Sequence, residues 1–106
     1  MQEKYVAINL AIPGADSTNG AAVDISGFIV GTINIHAFAA SLTGTYEIWV
    51  APDGTDNWSK VPSMDITATG TIKAVAASAA RLRLRRTTVT VGALDKATLT
   101  GVKRVG

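Results

Sequence analysis

The stretch "RLRLRR", residues 81–86, packs four arginines and two leucines into six positions of a chain that elsewhere is sparing with charge. At the two-residue period of a β-strand, Leu82 and Leu84 point to one side. Arg81, Arg83 and Arg85 line the other side at intervals of about 6.6 Å, and Arg86 steps to the leucine side near the strand end. Like charges side by side in a sheet destabilise it, so something acidic must face the row. Three readings are open: a solvated row balanced by Glu47 or Asp65 on adjacent strands, a face that docks on another protein, or a grip on nucleic acid. The last has little behind it. Three phosphate contacts give a salt slope near about 2.7, only a ~40-fold loss of affinity between 50 and 200 mM salt. No recognition helix, Cys/His finger or aromatic platform accompanies the row, and aromatics are 6% of the chain.

Working outward, "GTYEIWVAPDG" is the clearest second strand, with Tyr46, Ile48 and Val50 alternating with Thr45, Glu47, Trp49 and Ala51. It runs into a turn. Pro52 fixes φ, Asp53 accepts local backbone hydrogen bonds and Gly54 supplies a positive φ for a tight reversal, with Trp58 and Val61 packing back. "VDISGFIVGTINIHAFA", residues 23–39, reads as two short strands or one bent at Gly27 and Gly31. "MDITATGTIKAVA" gives one or two strands broken at Gly70, and "TTVTVGALDKATLTGV" a last pair around Gly92. The Ala-rich stretch 74–80 is too short for an independent helix and reads as a connection between strands. "YVAINLAI", residues 5–12, is an edge strand or an arm ended by Pro13 and Gly14.

These elements predict an all-β chain: a single antiparallel β-sandwich or jelly roll of seven to nine short strands with an extended N-terminal segment. Residues 1–20 form the N-terminal strand or arm and 21–106 the sandwich domain. One core fits 106 residues, of which 47% are hydrophobic and only 17% charged. A surface this poor in charge suits one that a neighbour covers.

Catalytic and cofactor chemistry finds no footing. Without cysteine there is no disulfide framework, thiolate metal site or thiol nucleophile. His36 is the only histidine, so no pair of histidines can hold a metal, and its alternation with Ile33 and Ile35 places it on a strand with an ordinary hydrogen-bonding partner. "DGTDN", residues 53–57, carries hard oxygen ligands, but its spacing is not that of a calcium loop and no bidentate Glu follows. "GADSTNG" lacks the lysine and helix of a phosphate loop. Trp49 and Trp58 bracket the turn, either as a sugar-stacking platform or as packing and interface residues. No enzyme, metal or cofactor is expected. The N-terminus shows no basic leader and no apolar run of membrane-spanning length, so synthesis in the cytoplasm without membrane insertion is expected.

The order of a strand "TYEIWVAPDGTDNWSKVP", a Gly-broken strand, and then "RLRLRRTTVTVGALDKATLTG" resembles the small β-sandwich structural proteins of tailed-bacteriophage virions. The resemblance covers residues 45 to 101. It implies that Asp53, Gly54, Thr55 and Trp58 shape a hairpin and that Arg81 and Arg83 lie on the late strand. It further implies a structural role: head decoration or cement at capsid junctions, or a subunit of the tail or neck. The protein would be made in the host cytoplasm and end on the capsid surface as a homo-oligomer, a trimer for instance, partnered by the major capsid protein. Arg81, Arg83, Arg85 and Trp49 are the interface candidates. A carbohydrate-binding module for host attachment is the rival reading.

Overall fold

Nine strands and no helix form among the residues described by the computed structural model, 2–29, 31–52, 55–68, 70–75 and 80–105. They are β1 (Gln2–Asn9), β2 (Thr18–Asn19), β3 (Val23–Asp24), β4 (Ile33–Phe38), β5 (Ser41–Ala51), β6 (Ser59–Lys60), β7 (Gly70–Val75), β8 (Arg81–Ala93) and β9 (Lys96–Val105). One antiparallel sheet has the order β1-β9-β4-β7; the other runs β2-β8-β5-β6, with β3 also on β8. Because β2 and β3 both pair with β8, they act as one interrupted strand. Counted so, the chain changes sheet at every step except β5 to β6, in the wrapped order of a jelly roll.

That wrapping follows from one two-stranded ribbon folded over a corner. β4 pairs with β9 from Asn34↔Thr100 to Phe38↔Lys96. Both strands then leave the sheet, through Ala39–Ala40 and Leu94–Asp95, and pair again in the other sheet from Ser41↔Ala93 to Ala51↔Arg81. Asp95 holds the corner: its N–H donates to the Phe38 carbonyl at 2.9 Å and its carboxylate accepts from the Ala40 N–H at 2.8 Å. Bending a paired ribbon needs irregular residues, and two glycines supply them. Gly92 has φ +70°, and a Cβ there would run into the Ser41 carbonyl; Gly44, at the register shifts of β5, has φ +149° against Thr88 and Val89.

Between the sheets lies one core. Ile33, Ile35, Ala37, Ala97 and Leu99 come from the β9 sheet, and Tyr46, Ile48, Leu82, Leu84 and Val89 from the β8 sheet. Leu10, Ile25, Ile66 and Leu94 close the ends from the connections. Fully burying each Leu or Ile contributes about 1.5–3 kcal/mol, so the inward half of every alternation is what holds the layers together. Tyr46, fully buried, also accepts a hydrogen bond from the Leu94 N–H at 3.3 Å and so ties β5 to the corner.

Some local expectations are resolved between their alternatives and others take a different form. "RLRLRR" and the Thr/Val run after it are one unbroken strand, and the break before the last strand falls at Leu94–Asp95, where the chain crosses to the other sheet, instead of at Gly92. The first twenty residues are built into the sandwich: β1 is an edge strand paired with β9 along its whole length, and β2 lies on β8. Residues 23–39 give two strands in different sheets, with Gly27 and Gly31 at positive φ between them. The reversal after β5 is wider than a tight turn, since pairing resumes only with Val50↔Ser59. In the Ala-rich stretch, residues 74 and 75 end β7, while 76–79 lie outside the described residues.

Candidate docking face

β8 and β5 are the two central strands of their sheet, and their register decides which side chains share its outward face. Glu47 stands opposite Arg85, Trp49 opposite Arg83 and Ala51 opposite Arg81, while Lys60 of β6 stands opposite Trp49. Leu82 and Leu84 are fully buried on the inward face. The three guanidiniums therefore do line one side, half-buried, with Trp49 among them.

Trp58 caps the row. Its ring lies 3.9 Å from the Arg83 guanidinium carbon and 5.2 Å from that of Arg81, a stacked cation–π arrangement. The chain reaches this position because the wide loop after β5 folds back over the end of the sheet, where Ala51 presents only a methyl group. Thr55 anchors the loop: its hydroxyl donates to the Pro52 carbonyl at 3.3 Å, and its own carbonyl accepts from Arg81. Asp53 and Gly54, the other two hairpin-shaping residues expected from the sequence, lie outside the described residues.

Compensation along the row is uneven. Arg81 meets Asp56 at 3.4 Å, and Arg85 donates to the Asn19 side chain at 3.2 Å. Lys60 bridges Glu47 at 2.9 Å and Asp65 at 3.3 Å. The Lys60 pKa is raised, first by the hydrogen bond to Glu47 and then by that to Asp65. Burial pushes the Glu47 carboxyl up, but the Lys60 ammonium, the Trp49 indole N–H at 3.1 Å and nearby Arg85 together hold it below its ordinary value. Arg83 has less of this, since the Asp56 charge reaches it without a direct contact. Its Nε is shielded from water without an acceptor, no carboxylate pairs with it among the described residues, and burial followed by the Arg85 charge lowers its pKa. Among the described residues this face sets Arg81, Arg83, Arg85 and Lys60 against Glu47, Asp56 and Asp65; Lys60 takes two of these carboxylates and Arg81 the third, Arg85 turns to the neutral Asn19 side chain, and Arg83 meets no described oxygen partner.

Glu47 and Asp65, named from sequence as balancing the arginines, are thus engaged chiefly by Lys60. Arg86 belongs to a different arrangement. Its Nε donates to Asp16 at 2.8 Å, and the same carboxylate oxygen accepts from the Val89 N–H at 3.1 Å, clamping the loop before β2 to β8. The Arg86 hydrogen bond, then that of Val89, lowers the Asp16 pKa. His36 lies on the far sheet, with Nε2 3.1 Å from the Thr100 hydroxyl. The described residues contain no group of three or more His, Cys, Asp or Glu side chains placed to hold a metal ion.

The stacking of Trp58 on the arginines and the roles of Lys60 and Asp56 are not apparent from strand alternation. Pairing Trp49 with Lys60 across the hairpin would have revealed the lysine. Nothing local announces the tryptophan's target, which lies on β8, two strands away from β6.

Fold and site together define a jelly-roll sandwich whose outward face carries an aromatic-capped arginine row. No protein-family model, characterised protein or solved structure matches the chain.

Proposed function

We propose that the chain is a non-enzymatic assembly protein that docks on another protein through the outward face of the β8 sheet. In its specific form it is a decoration (cement) protein of a tailed-phage head, seated as a homo-oligomer on the shell of major capsid protein. The observation that carries the docking reading is Arg83: a guanidinium on a central strand, capped by Trp58 and without a carboxylate partner among the described residues. Arginine and tryptophan are among the residue types that most often anchor protein interfaces, because each buries a broad planar surface and carries polar N–H groups at its edge. The virion assignment adds the resemblance of residues 45 to 101 and the jelly-roll wrapping, an architecture frequent among capsid and lectin domains. Decoration would stabilise the shell by mass action, since a ligand that binds only the assembled state favours that state.

The test is co-sedimentation of the purified chain with shells assembled from the major capsid protein encoded in the same genome, together with its mass in solution. Saturable binding and a higher melting temperature of the shells are expected. A chain that stays monomeric at high concentration and remains in the supernatant sinks the reading; a positive glycan array with quenching of tryptophan emission replaces it with host attachment.

A further inference from the structure

We propose that Arg83 is the acceptor for a single carboxylate, an Asp or Glu side chain of a protein partner, seated beside Trp49 and Trp58 on the outward face of the β8 sheet. The proposal deepens the docking reading above and rests on it. Among the described residues Arg81, Arg85, Arg86 and Lys60 each have an oxygen partner, whereas Arg83 has the indole of Trp58 alone. A guanidinium stacked in this way has one face covered and its plane fixed, which leaves its edge N–H groups to be met by an acceptor of matching fork geometry. Arg81 and Arg85 flank it on the same side of the strand, so an arriving negative charge also relieves repulsion along the row.

The charge balance selects the kind of partner. A polyanion such as a nucleic-acid backbone would bring repeated charges against Glu47, Asp56 and Asp65, which border the row. A single carboxylate matches the one guanidinium of the row that has no oxygen partner among the described residues. Trp49, opposite Arg83 in the ladder, has its indole N–H turned to Glu47 at 3.1 Å and offers the rest of its ring as apolar surface for the stem of the incoming side chain.

The experiment is an NMR titration of the full chain, labelled with 15N, following the Arg83 Nε–H and Trp58 indole resonances. Three probes are added in parallel: a capped tetrapeptide carrying one Glu and one Asp, its Gln/Asn counterpart, and a thymidine tetranucleotide. The acidic peptide alone is expected to move both resonances saturably. Arg83→Gln should weaken that binding about tenfold or more, and Arg83→Lys, which keeps the charge and loses the fork, should restore only part of it. Backbone spectra of both variants check that the fold is retained. An unmoved Arg83 resonance, an equal response to the tetranucleotide, or peptide binding indifferent to Arg83→Gln each overturns the proposal. Failure of shell binding alongside an intact peptide response at Arg83 removes the virion reading and leaves the carboxylate acceptor standing.

Discussion

The two outward faces of this sandwich are built on the same alternation and carry opposite chemistry. On the β8 sheet the outward positions are Arg81, Arg83 and Arg85 beside Glu47, Trp49 and Lys60. On the β9 sheet the middle of the outward face is Ala7, Asn9, Asn34, His36, Thr98 and Thr100, with no carboxylate, lysine or arginine among them. Its polar groups bond to one another, as between Thr98 and Asn9 at 3.4 Å, and its large apolar side chains, Tyr5 at 68% and Phe38 at 53% exposed, stand toward opposite ends. The inward halves of both patterns, aliphatic apart from Tyr46, serve one core. Inward positions therefore carry the fold, and outward positions are free to differ.

The largest effect should come from a change that both faces feel equally. Leu84→Ala and Leu99→Ala each remove a fully buried side chain from opposite layers of the core, and each should cost about 2–5 kcal/mol. In urea, both should lower the midpoint of a single transition with little change in slope. Two separate transitions, each sensitive to one variant, would mean that the sheets do not share a core and that the comparison is between two bodies.

A smaller effect should separate the faces. Arg83→Glu reverses the charge at this position and should abolish docking of an acidic partner while leaving the urea midpoint close to that of the parent. Thr100→Ser on the uncharged face should leave docking unchanged. Equal losses from the two substitutions in the same co-sedimentation assay would erase the distinction.

Smaller again is the effect at the corner through which the faces are joined. Tyr46→Phe keeps the ring but withdraws the acceptor from the Leu94 N–H, leaving a buried donor unpaired at a cost of about 1 kcal/mol. Hydrogen exchange should quicken first at Leu94. If exchange instead quickens evenly along β8 and β9, the corner is not a local joint.

What could be read from the residues and what could not divides along physical lines. Alternation in "RLRLRR" and "TYEIWV" marks inward and outward positions, because period two is a property of each strand by itself: Leu82, Leu84, Tyr46 and Ile48 are buried as their spacing demands. Pairing is a property of two strands distant in sequence, and nothing in "IVGTINIHAF" states that Ile35 will face Leu99. The corner was illegible for the same reason. Gly92 reads as a strand break, yet its positive φ serves the fold of the ribbon, and β8 runs on to Ala93 before the chain crosses to the other sheet through Leu94–Asp95. At the candidate site the arginine row was visible while its compensation was not, because Lys60 and Trp58 reach it through a loop that local pattern does not place.

Acid should divide the faces with the least perturbation, because the middle of the uncharged face holds no carboxylate to titrate. Glu47 faces the Lys60 ammonium from β6, the Trp49 indole from its own strand and the Arg85 charge from β8, and its pKa is held below the ordinary value. A carboxyl whose folded pKa lies below its unfolded pKa binds fewer protons folded than unfolded between the two values. Its stabilisation is then fully present above the unfolded pKa and is lost as pH falls through the folded one. Asp16, clamped by Arg86 and the Val89 N–H, acts in the same direction. Stability should therefore decline as pH falls from about 5 to about 3, with a smaller decline in Glu47→Gln. Both tryptophans sit on the charged face, so their emission should follow the loss of the Glu47 contacts before global unfolding, while Tyr5 on the other face stays unchanged. A chain that gained stability over the same interval would show its carboxylates to be repelled in the folded state instead of held there, and the pairing on which the uniqueness of Arg83 depends would fall with it.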